Sequence, residues 1–154
     1  MIACKVKEVK PFMQALLIGS LIDGWDVHEV RLHMRVSYTI DGHLNKAFLP
    51  EDDDQGNYST WEDLKPTVAG LIRGKKTPTL LHIIVSLPSS FLTEVEADPE
   101  DQFLLNIHFE NGTLTLITAM AHKSFTMDRT LDQYWDAYVP AYFTAHSIQL
   151  DAES

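Results

Sequence analysis

The chain predicts an α+β fold: a curved, mainly antiparallel sheet of five or six strands, with about three helices packed on its concave side. Three observations carry this expectation. Alternating apolar and polar residues flank two tight-turn dipeptides, Asp41-Gly42 and Asn111-Gly112. Three further stretches repeat their apolar residues at helical spacing. Strands come in pairs rather than alternating one by one with helices, which disfavours a parallel sheet.

Residues 2–7 (IACKVK) alternate and make a first strand. Pro11 suits a first helical turn, and Phe12, Met13, Leu16 and Leu17 form one stripe that ends near Gly19. From Val30 to Ile40 every even position is apolar and every odd one polar, a half-buried strand of period two. Trp25 and Val27 are apolar in the opposite phase, so a bulge or bend is expected near His28. At Asp41-Gly42 a three-residue loop, with Gly42 left-handed, would pair Tyr38 with Leu44 and Met34 with Phe48 and keep the large apolar groups together.

PEDDDQGN, residues 50–57, reads as an acidic surface loop. Ser59 and Glu62 have the spacing of a capping box, and Trp61, Leu64, Val68, Leu71 and Ile72 form the stripe of the helix that follows, stopped by Gly74. Residues 79–87 (TLLHIIVSL) are apolar on both faces, hence a central or covered strand, and SSFLTEV is a short helical or irregular piece. At Asn111-Gly112 a two-residue loop pairs Phe109 with Leu114, Ile107 with Leu116, Leu105 with Thr118 and Phe103 with Met120. A last helix enters through Thr130 with Gln133 in the reciprocal capping position and carries a broad aromatic stripe from Leu131 to Phe143. Pro140 lies within that run and is expected to kink or end it.

The 154 residues fit one domain, 1–154, with an ordinary globular composition of 45% hydrophobic and 22% charged residues. A formal charge of -10 repels phosphate backbones and anionic head groups, so neither nucleic acid nor membrane is an expected partner. The lone Cys4 can form no internal disulfide and points to a reducing compartment. FMQALLIGSLI is too short to span a bilayer and lacks a signal-peptide cleavage pattern, so the expected location is the cytoplasm.

Few motifs carry chemistry. The seven histidines form no i, i+4 pair, so neither a metal nor a cofactor is predicted. AGLIRGKKT lacks the first glycine and the hydroxyl residue of a phosphate loop and is better read as a glycine helix stop beside Arg73, Lys75 and Lys76. The EDDD loop misses the glycine and the final glutamate of an EF-hand, and no serine lies in a G-x-S-x-G elbow. Two sets remain. Arg31, His33 and Arg35 would form a basic ladder on one strand face, with steps of about 7 Å, suited to an acidic protein segment or small acidic ligand. His28, Asp41 and His43 would gather near the first hairpin as a small acid-base site.

The segments KPFMQALLIGSLIDGW, YTIDGHLNKAF, YSTWEDLKPTVAGLIRGKKTP and SFTMDRTLDQYWD together resemble a family of short bacterial proteins of unknown function, common in anaerobic Gram-positive species. The IDG-LNK turn and the helix running from Trp61 to GKKTP are its most specific parts. The resemblance implies a stand-alone domain and transfers no catalytic residue. The leading expectation is therefore a non-catalytic binding or adaptor domain using the Arg31, His33 and Arg35 strip. A small enzyme built on His28, Asp41 and His43 is the alternative, and a structural protein that forms a homodimer is another.

Overall fold

A computed structural model describes residues 1–50, 56–72, 74 and 76–153, with nothing said of the side chains of 152 and 153. The acidic stretch 51–55 expected as a surface loop, and Arg73 and Lys75 of the expected helix stop, lie outside the described residues.

The elements run β1 (Ala3–Val6), α1 (Val9–Leu17), β2 (Asp26–His33), β3 (Ser37–Asp41), β4 (Ser59–Thr60), α2 (Trp61–Leu71), β5 (Leu80–Leu87), β6 (Gln102–Glu110), β7 (Thr113–Ala121), α3 (Thr130–Ala145) and β8 (Leu150–Glu153). A single 3-10 turn, Ser89–Phe91, follows β5. Three helices and one open antiparallel sheet make an α+β fold. The sheet has eight strands rather than five or six, in the order β3-β2-β5-β6-β7-β1-β8, with β4 paired beside β2.

The pleat sorts side chains to two faces. One row runs Ile40, Val30, Ile83, Ile107, Leu116, Cys4 from strand to strand, and its members are buried or half-buried. Phe12 and Leu16 of α1, Trp61 and Val68 of α2, and Trp135, Val139 and Phe143 of α3 join the same cluster. Apolar burial of this kind contributes about 25 cal/mol per Å² and is the main force holding the helices to the sheet. Trp25, Trp61 and Trp135 are all in the core. The Trp61 indole N–H donates to the Leu16 carbonyl at 2.8 Å, satisfying a helix-end acceptor of α1.

The second hairpin has the expected register throughout, from Phe109 opposite Leu114 to Phe103 opposite Met120. Asn111 and Gly112 both take positive φ, 54° and 77°, as a two-residue turn of this twist requires. The slip near His28 is also present, as a register shift between Val27 and Glu29 against β5.

The first hairpin is not where the sequence placed it. The run from Val30 to Ile40 is two strands, reversed by Met34, Arg35 and Val36, with Leu32 opposite Tyr38 and Val30 opposite Ile40. A reversal of this register pairs even residues with even residues, so the alternation continues unbroken through the turn and hides it. Gly42 makes no hairpin turn. Its N–H donates to the His28 carbonyl at 2.9 Å, and an added Cβ would stand 1.8 Å from the Val27 carbonyl oxygen. Glycine is needed there for close backbone approach, and Tyr38–Leu44 and Met34–Phe48 pairs do not form. Phe48 is 85% exposed.

The helix starts shift as well. Thr60, not Ser59, caps α2, its hydroxyl accepting from the Asp63 N–H at 3.3 Å. Thr130 is the first residue of α3, and Asp128 accepts from its N–H at 2.9 Å. Pro140 neither ends α3 nor stops its stripe from reaching the core. Strand β8 was not anticipated: LDAE has no alternating pattern, and it is recruited by pairing with β1. Among the described residues no helix is long and apolar enough to cross a membrane.

Candidate functional site

The face of the sheet opposite the helices is where the polar residues gather. The row beside the buried one runs Thr39, Arg31, His82, His108, Thr115, Lys5, Asp151 across seven strands. The basic groups thus line up across the strands rather than along one. His82 Nε2 and Asn106 Oδ1 are 3.0 Å apart, and the His82 and His108 rings are 5.1 Å apart.

The expected ladder is broken. Arg31 and His33 do alternate along β2, but Arg35 lies in the turn beyond it, exposed and off the sheet face. The Arg31 Nε sits 3.2 Å from a Glu29 carboxylate oxygen, so its charge is already partnered. The continuous strand that would have aligned all three residues does not exist.

His28, Asp41 and His43 do come together, through the bulge and not through a hairpin. The bulge at His28 turns its ring to the polar face, where Nε2 shares a hydrogen bond of 2.8 Å with Ser86 Oγ. A bridge between His43 and Tyr58, with the Leu44 N–H donating to the Asn57 carbonyl at 2.8 Å, brings Asn57 and Tyr58 to this point. The Tyr58 ring thereby packs against two imidazoles, 4.0 Å from His28 at a tilt of 32° and 4.6 Å from His43 at 48°. Asp41 Oδ1 accepts from the His43 backbone N–H at 2.9 Å and lies 2.6 Å from His43 Nδ1. These two hydrogen bonds, the backbone one first, hold the Asp41 carboxyl below its usual range. Burial lowers the His28 pKa, and the nearby His43 charge lowers it further, so His28 is neutral near pH 7.

Beside this stack lies a cleft of about 360 Å³, walled by Asp26, Tyr58, Ser86, Ser89, Glu100 and Gln102. The Gln102 amide N–H donates to the Tyr58 hydroxyl at 3.4 Å. Asp26 stands opposite Ser86 in the ladder, and its carboxyl has no hydrogen-bond or ion-pair partner among the described residues. Burial alone raises its pKa. Asp26, Tyr58 and Ser86 were not singled out from the sequence. Ser86 had one signal, a polar side chain in an otherwise apolar stretch and on the same face as His82.

His122 and Asp132 make a second compact pair, Nε2 to Oδ1 2.7 Å, with the Arg129 guanidinium also donating to Asp132 at 3.4 Å. This pair ties the segment after β7 to α3. Among the described residues no group of three or more His, Cys, Asp or Glu side chains is placed to hold a metal ion.

A model of DUF5721, a family of unknown function, matches residues 15–151. Neither a curated protein nor a solved structure matches the chain.

Proposed function

The chain belongs to this family of unknown function, which lends it no activity, and we propose from the site itself that it is a binding domain for a small organic cation, an amine or guanidine. One observation carries the reading: the Asp26 carboxyl is drawn part-way out of water in a cleft and is given no partner. A half-buried, unpaired carboxylate is unfavourable, and a cation seated in the cleft would offset that desolvation with a charge-assisted hydrogen bond. Glu100 and Asp101 on the cleft wall, against the Lys123 ammonium 3.8 Å from Glu100, add to a negative local field that draws cations. Tyr58 supplies an aromatic wall of the cleft, its ring packed against those of His28 and His43. A bacterial cytoplasmic setting belongs to the same proposal and rests on the lone Cys4 and the family resemblance.

Calorimetric titration with putrescine and agmatine, against glutarate as the matched anion, tests the reading. Either cation should bind wild type, and Asp26→Asn should weaken it at least tenfold. Absence of heat with both cations, or equal binding by the variant, would overturn the proposal.

Asp26→Asn has a second consequence. With its pKa raised in the fold, the native state holds more protons than the unfolded chain between the ordinary aspartate value of 3.8 and the folded value. Asp26 therefore favours the fold at acidic pH, and its contribution falls as pH rises through the folded pKa. The variant should melt higher than wild type at pH 7, and the difference should vanish near pH 3, as scanning calorimetry at both pH values would show.

The Ser86–His28 contact favours a second reading, acyl transfer with Ser86 as nucleophile and neutral His28 as base. It ranks lower because Ser86 lies inside a strand paired on both sides, which commits its backbone N–H to the ladder rather than to an oxyanion. A fluorophosphonate probe separates the two. Labelling of wild type that disappears in Ser86→Ala would support the enzyme, and no labelling would leave Ser86 as a wall of the binding cleft.

A further inference from the structure

At the other end of β5 and β6, on the helix side of the sheet, lies a groove of about 540 Å³ that the cation cleft does not touch. Helix α1 buries Phe12 and Leu16 completely and leaves a second stripe, Val9, Met13 and Leu17, only half-covered. These three residues, four apart, form one wall. Ile72 and Pro78, from the segment that follows α2, form the other, and Leu81 and Phe109 close the floor. Among the described residues the charged ones on the lining are Lys10 and Lys76, both exposed and neither with an ion-pair partner among the described residues. Two cations at an apolar groove stand out in a chain whose formal charge is -10.

We infer that this groove binds an unbranched medium-chain carboxylate, its hydrocarbon tail along the Val9, Met13, Leu17 stripe and its carboxylate between Lys10 and Lys76. The apolar walls suit a tail without polar groups, and the two lysines on the lining suit an anionic head. Length sets the class more closely. The stripe runs about 12 Å along α1, the reach of an extended chain of roughly eight to ten carbons joined by bonds of about 1.5 Å. A volume of this size lies in the range of small-molecule sites. An acidic peptide helix would need a longer trough, and a bilayer surface would meet the repulsion of the remaining acidic surface.

Decanoate is the probe, titrated into the full chain by calorimetry at submillimolar concentration, with decanol and acetate in parallel and anionic phospholipid vesicles as a sedimentation control. Saturable binding of decanoate is expected at one site, with decanol and acetate at least tenfold weaker and no vesicle association. Lys10→Glu with Lys76→Glu should reduce decanoate affinity at least tenfold, and Lys10→Gln with Lys76→Gln should reduce it less. Met13→Trp, which fills the groove, should abolish binding while the circular dichroism spectrum stays that of wild type. The inference is overturned if decanoate does not saturate, if decanol binds as tightly, if the charge-reversed variant binds like wild type, or if vesicles capture the protein in its place. Putrescine titration of the same variants should be unchanged, so failure here is distinguishable from failure at the Asp26 cleft.

Discussion

Trp135→Ala is expected to destabilise the fold by about 3–5 kcal/mol, the range for removing a fully buried large aromatic. Trp135 is 0% exposed. Its ring meets Phe103 edge-on at 5.6 Å, stacks with Tyr138 at 5.4 Å and lies 5.9 Å from Trp25, so its loss opens a cavity between α3, β6 and the segment before β2, which cannot all collapse into it. The indole N–H also donates to the Leu104 carbonyl at 2.7 Å, and truncation removes that partner from a sheet carbonyl. Total stabilities of about 5–15 kcal/mol leave little margin for a loss of this size. Equilibrium denaturation in urea measures it, with Trp135→Phe as the control that keeps most of the ring and loses the N–H. The phenylalanine variant should lose roughly 1–2 kcal/mol, and an alanine variant no weaker than that would mean α3 does not seal the core.

Gly42→Ala is expected to cost about 3 kcal/mol or more, the result of forcing a methyl group against rigid backbone. The new Cβ would stand 1.8 Å from the Val27 carbonyl oxygen and 2.6 Å from its carbon, atoms belonging to the bulged strand and unable to rotate away. Relief requires the segment after β3 to lift off β2, breaking the Gly42 N–H to His28 carbonyl bond. His43 and the Tyr58 stack would move with it, so cation binding at the Asp26 cleft should fall together with stability. Gly112→Ala is the contrast. Its φ is 77° but nothing lies within 4 Å of the added carbon, so only the left-handed backbone is disfavoured, by about 1–2 kcal/mol. Thermal denaturation of the two variants side by side checks the ranking; a Gly42→Ala protein that melts no lower than Gly112→Ala would refute the steric reading.

The contrast between these glycines shows how far local pattern reaches. Asn111-Gly112 was readable because the turn needs positive φ and the alternation on each side fixes which residues must meet. Asp41-Gly42 offered the same dipeptide signal for a different reason, a close approach to a strand fifteen residues earlier that no local pattern records. The reversal at Met34, Arg35 and Val36 was invisible because it preserved the phase of the alternation. With it went the basic ladder, which depended on Arg35 remaining in the strand.

His28, Asp41 and His43 lie close together, but not at a hairpin. Sequence distance suggested a hairpin, whereas the bulge and the return of Tyr58 bring the groups together. Asp26 and Ser86 entered the site only through cross-strand pairing, sixty residues apart in the chain.

Periodicity alone determined the α+β class, the buried faces of the helices, the central strand and the second hairpin, because each follows from residues within a few positions of one another burying one face. Tertiary structure alone decided the first reversal, the recruitment of β8, the unpaired state of Asp26 and the two lysines at the α1 groove. Those depend on which distant backbones lie side by side and on which charges water no longer fully reaches, and both are properties of the assembled sheet and helices rather than of any stretch of chain.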